Sequence, residues 1–110
     1  MAVLTVGLIA LTGLKPVLVS AAVGGDSFAN NGFTYLHVNN ASAAPTTVTV
    51  HGQGNCNYGV EHNAVVTVPL AEERLIGPFP PRRFNDTTGQ VQVTYSVVTT
   101  ITVGAFKVSG

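Results

Sequence analysis

Charged side chains make up only 9% of this 110-residue chain, against roughly a quarter in typical soluble proteins. Five lysines and arginines balance five aspartates and glutamates, so the formal net charge is zero, and the mean hydropathy is +0.36. A free monomer with so few charges is poorly soluble near its pI, so much of the surface is expected to be covered by partners. A basic stripe is missing. The one basic cluster is Arg82-Arg83, with Arg74 nearby in sequence, too few arginines to displace phosphate counterions, which argues against nucleic acid as a partner. There is a single cysteine, Cys56; the chain has no internal disulfide, which excludes a disulfide-rich secreted scaffold. A transmembrane-length run is also missing. The N-terminal "MAVLTVGLIALTGLKPVLVSAAVGG" has signal-peptide character in its apolar run and its "VSAA". Yet no positive charge follows Met1, and Lys15-Pro16 interrupts the run before it is long enough to span a bilayer. No membrane partner is expected, and residues 1–20 are read as an N-terminal segment or arm belonging to the structure or its assembly.

What is abundant is valine and threonine. Both are β-branched, which stiffens χ1 and favours pleated strands. The length suits one domain with a core that needs no staples. Residues 2–11 have the length of a short helix, but Gly7 and two valines favour extended structure. Val17–Val23 reads as a strand ending at Gly24-Gly25, and "GGDSFANNG" (24–32) reads as a loop of turn formers. "FTYLHVNN" follows as a strand, with Leu36 and Val38 on one face and Phe33, Tyr35 and His37 on the other. Two apolar faces predict a strand that is central or lies beneath another chain. "TTVTVHG" predicts Val48 and Val50 inward, with Thr47, Thr49 and His51 outward. "AVVTVPL" is a strand whose Pro69 implies an edge or a terminus. "RLIGPF" is a short strand, "QVQVTYS" turns Val91, Val93 and Tyr95 inward, and "VTTITVGAFKV" places Ile101, Val103 and Ala105 on one face. Six to eight short strands with turn signals between them predict an all-β fold: a small single-domain β-sandwich or barrel, jelly-roll- or Ig-like, over residues 21–110.

The segment "LIGPFPPRRF" (75–84) is the most concentrated local signal. Pro78, Pro80 and Pro81 favour extended or polyproline backbone and stop ladder pairing, so the chain is expected to cross here from a sheet edge to the next strand. Arginines and aromatics are enriched at interface centres, which makes Arg74, Phe79, Arg82, Arg83 and Phe84 the candidate interface residues. Phe79, at the end of its strand, is also a candidate core residue. Signals for chemistry are weak. His51, Cys56 and His62 lie within twelve residues, but H-x4-C-x5-H matches no common zinc spacing and only Glu61 offers a further ligand. Cys56 with His62 as base is the one nucleophile pairing, and a lone cysteine in a small β protein is more often inert. Asp26, Glu61, Glu72, Glu73 and Asp86 suggest no paired-carboxylate arrangement, and Asp26 and Asp86 read as turn caps. No catalytic residue, metal or cofactor is expected.

Three stretches carry a family resemblance: "FTYLHVNNASAAPTTVTV", then "VPLAEERLIGPFPPRRFNDTTGQVQVTYS", then the Val/Thr-rich end. Over residues 20–108, and best over 66–96, the chain resembles small tailed-phage head decoration, or cement, proteins. The resemblance implies a non-enzymatic β-sandwich on the virion that binds the outer surface of the major capsid shell and stabilises the head. The implied partners are the major capsid protein and further copies of the chain, as a trimer or, alternatively, a dimer. The rival reading is a carbohydrate- or receptor-binding β-sandwich, with the polar residues of 24–32 and of "GQGNCNYG" (52–59) as sugar ligands.

Overall fold

The computed structural model describes residues 2–52 and 63–108. Among these, ten strands and one helical turn follow in chain order: β1 (Ala2–Leu4), β2 (Val6–Leu8), β3 (Val19–Ser20), β4 (Asp26–Ala29), β5 (Thr34–Asn40), β6 (Thr46–Val50), β7 (Ala64–Val68), β8 (Glu72–Ile76), α1 (Pro81–Phe84), β9 (Gln90–Tyr95) and β10 (Ile101–Lys107). They form two sheets, ordered β1-β4-β9-β6-β7 and β2-β10-β5-β8, with β3 also paired to β10. The chain is an all-β sandwich, as its β-branched composition predicts.

The core sits between the sheets and follows the period of two. Leu36 and Val38 from β5, Val48 and Val50 from β6, Val91 and Val93 from β9, and Val103 from β10 have no solvent exposure. Phe28 fills the space between them and is also fully buried. Each is the inward residue of an alternating strand, so the two sheets meet on their apolar faces. Strand β7 ends its sheet, in keeping with Pro69 just beyond it.

Two expectations are corrected. The strand expected over Val17–Val23 is reduced to Val19–Ser20, which pairs antiparallel with Val103 and Thr102. The loop expected over Gly24–Gly32 holds a strand, β4, between β1 and β9. The turn formers there are drawn into the sheet because the fold satisfies their polar atoms. Buried Asp26 accepts hydrogen bonds at Oδ2 from the Tyr95 hydroxyl (2.7 Å) and the Ala22 amide (3.3 Å). Buried Asn30 donates to the Phe79 carbonyl (2.9 Å) and to Asn85 Oδ1 (2.7 Å), and Asn85 donates back to the Asn30 carbonyl (2.9 Å). Buried polar groups bonded in this way recover much of what they lose on leaving water, although Asp26 Oδ1 is buried without a partner among the described residues.

The N-terminal segment is extended, not helical, and changes sheets at Thr5. Strand β1 runs parallel to β4 in one sheet and β2 runs parallel to the end of β10 in the other. Leu4 enters the core between them. Beyond β2 the chain stays anchored at both ends: the Ile9 amide donates to the Lys107 carbonyl (2.9 Å) and the Ala21 amide to the Ile101 carbonyl (2.9 Å). Residues 9–18 bow across the outer face of the second sheet between these anchors.

Candidate functional site

The crossover after β8 is built from Gly77 onward. Gly77 has φ 134°, and a Cβ there would sit 3.0 Å from Tyr35 Cα and 3.1 Å from the Thr34 carbonyl oxygen. Only glycine has both the freedom and the slimness this position requires. The Gly77–Pro78 peptide is cis. Phe79 then turns into the sandwich, 2% exposed. Pro80 is extended, with φ −61° and ψ 123°, and Pro81 opens the helical turn α1, where its missing N–H is no loss. The amides of Arg83, Phe84 and Asn85 close the turn on the Pro80 and Pro81 carbonyls. The sequence predicts extended or polyproline backbone here; Pro80 is extended, but the chain from Pro81 is helical instead, because two prolines at the start of a turn preset φ for it and Phe84 is pulled inward.

This geometry divides the five candidate residues. Phe79 packs against Phe28 (centroids 5.5–5.6 Å apart for each ring pair) and edge-on against Phe84, so the two crossover rings plug one end of the core. The reading of Phe79 and Phe84 as partner-facing is therefore corrected: at 2% and 4% exposure they are core side chains. Arg82 and Arg83 stay exposed on the outside of the turn, and the Arg83 guanidinium lies 4.8 Å from the centroid of the Phe84 ring. Arg74 is apart from them on β8, where its guanidinium meets Glu72 Oε1 (2.9 Å) and the Glu73 carbonyl (2.8 Å).

Residues not singled out as candidates form a second feature, a groove on the outer face of the second sheet. Tyr35, His37 and Phe106 make its floor. The bowed segment forms one wall through Ile9, Leu14 and Pro16, and Leu75 of β8 forms the other. The groove continues past Tyr35 and Leu75 to Phe33, Pro78 and Val108. Its two parts hold about 230 and 250 Å³. Gly104 and Gly7 allow the bowed segment to lie close: a Cβ on Gly104 would sit 2.7 Å from Leu18, and one on Gly7 would sit 3.2 Å from Leu14. Phe106 is on the outward side of its strand and still only 5% exposed, because this segment covers it. The doubly apolar face of β5 was the sequence signal for this feature. That strand is both interior to its sheet, between β10 and β8, and partly roofed by its own N-terminal segment. Leu11, at the Ala10–Gly13 turn of the segment, is 109% exposed, and Leu75 is 67% exposed.

Asp86 and Tyr95 are held in hydrogen bonds of the fold. Asp86 accepts from the Thr88 hydroxyl (2.7 Å), the Gln90 amide (3.0 Å), the Gln92 amide group (2.7 Å) and the Thr88 amide (2.8 Å). These bonds hold its carboxyl well below the usual carboxylate range, the Thr88 hydroxyl contributing most. Burial, and then the hydrogen bond to Asp26, pushes the Tyr95 phenol far above its ordinary value. His51 Nε2 is 2.9 Å from the Thr94 hydroxyl. Among the described residues no three histidines, cysteines or carboxylates gather as a metal would require; Cys56, Glu61 and His62 lie outside the described residues. Family models, curated proteins and solved structures offer no match to this chain.

Proposed function

We propose that the chain is a non-enzymatic decoration protein of a tailed-phage head, binding the outer surface of the major capsid shell and stabilising it. The observation that carries this reading is the surface. Large apolar side chains stand exposed along the N-terminal segment, at Leu8, Leu11, Val17 and Val19, and again at Phe33, Leu75 and Val108, on a chain with 9% charge. Exposed apolar side chains in such number mark an interaction surface. The resemblance in residues 20–108 supplies the kind of partner. The polar residues of 24–32 that a sugar-binding reading relies on are in part engaged within the fold, Asp26 by Tyr95 and Asn30 by Phe79 and Asn85.

The test is co-sedimentation of the purified protein with phage heads stripped of decoration. Saturable binding at a fixed high copy number, with raised resistance of the heads to heat, is expected. Absence of binding to heads, with binding of the free protein to immobilised glycans, would replace this reading with the carbohydrate-binding one.

A further inference from the structure

We propose that the groove on the outer face of the second sheet receives the bowed N-terminal segment of a second copy, giving a two-fold, face-to-face dimer. The basis is that one face carries both halves of a complementary pair. The bowed segment is a ridge, tipped by the fully exposed Leu11. Immediately beside it lies the groove between that segment and Leu75. A two-fold axis through the boundary between them places each ridge in the partner's groove, since an isologous interface needs one self-complementary patch.

The charges agree with the shapes. The ridge carries a single exposed charge, Lys15, which has no ion pair among the described residues. The groove rim carries Glu73, on the same outer side of β8 as Leu75, with its carboxylate 2.5 Å from His37 Nε2 and largely exposed. In the dimer Lys15 of each copy lies over Glu73 of the other. The edge of β8 offers a copy no such welcome. Glu72 and Arg74 share the inward side of that edge strand with Ile76, and inward-pointing charges deter strand addition. The face, not the edge, is therefore where two copies meet. This geometry selects the dimer over the trimer that the phage resemblance leads one to expect. It draws on Leu11 and Leu75, two of the exposed apolar side chains that the capsid reading also uses, but it concerns the free protein.

Sedimentation velocity over a concentration series tests it with the full chain. Wild type is expected to convert from monomer to dimer as concentration rises. Leu11→Asp and Leu75→Asp should each weaken self-association by about tenfold or more, as loss of a central apolar anchor does. Both positions are exposed, so the thermal midpoint of the monomer should hold and confirm that the variants fold. The decisive arm is charge exchange. Lys15→Glu alone and Glu73→Lys alone should each dimerise poorly, while an equimolar mixture should form heterodimers, because every contact in the mixed pair again joins opposite charges. Wild type that stays monomeric at all concentrations, a trimer, or a mixture that fails to pair would each overturn the proposal. No phage particle is involved, so its failure leaves the decoration reading standing, and the reverse.

Discussion

Phe79 and the arginines three and four positions beyond it separate packing from presentation at the scale of single residues. Phe79 joins Phe28 and Phe84 in one aromatic cluster at the end of the core, so Phe79→Ala should destabilise the fold by about 3–5 kcal/mol in urea unfolding. Arg82→Ala with Arg83→Ala removes exposed side chains. It should leave the thermal midpoint nearly unchanged, the Arg83–Phe84 contact contributing at most about 1 kcal/mol, and should weaken binding to heads if the arginines reach a capsid carboxylate. Equal binding by the double variant would assign them to solvent. Asp86 gives a pH signature. Its folded pKa is depressed, so its contribution is present above the unfolded value near 4 and fades as pH falls below it. Wild type should lose more stability between pH 7 and pH 3 than Asp86→Asn, compared by urea midpoints. Tyr95 acts at the other extreme. Its raised pKa makes its contribution complete below about pH 10 and lost above it, an alkaline limb that Tyr95→Phe should flatten.

Among the elements, the bowed segment is the one whose conformation depends on neighbours distant in sequence. It holds its place through two anchoring hydrogen bonds and through Leu14 and Leu18 resting over two glycines and Phe106. Beside it opens an apolar pocket of about 420 Å³, lined by Leu14, Lys15 and Val17 of the segment and by Val103 and Gly104 of the sheet. Gly104→Val should push Leu18 outward and release the segment while β5 and β10 keep their ladder. Hydrogen exchange should then quicken over residues 9–20 and stay unchanged in the core strands. Uniform acceleration through the whole chain would mean that Gly104 supports the sheet itself. Strand β8 is the complementary case. It is an exposed sheet edge bearing Glu72, Glu73 and Arg74, three of the chain's ten charges, placed where unguarded backbone would otherwise recruit other chains.

For the whole molecule, the consequence is kinetic as well as structural. The radius of gyration is 13.7 Å, close to the ~13 Å expected of a folded chain this long. Yet the principal contacts join distant parts of the sequence: Phe28 lies opposite Val91 and Val38 opposite Val103. Loops must close before such pairings contribute, so refolding is expected in milliseconds to seconds. Stopped-flow fluorescence of the three tyrosines reads this directly, and sub-millisecond refolding would show that local turns carry the transition state.

The sequence by itself determined the class of fold and most inward faces, because alternation and β-branching act residue by residue and need no knowledge of partners. Val48, Val50, Val91, Val93, Ile101 and Val103 are buried where the pattern puts them. It also located the crossover, since glycine and proline act on their own backbone. Tertiary structure decided what local preference could not. Asp26 and Asn30 belong to a strand and its end because Tyr95, Phe79 and Asn85, from 49 to 69 residues away, hydrogen-bond Asp26 Oδ2 and the Asn30 amide group. Phe84 is core and not surface because the helical turn after Pro80 rotates it inward. The groove was foreshadowed only by the second apolar face of β5. Its walls are residues 9–16 and Leu75, brought together by sheet order, and no spacing within either stretch encodes that meeting.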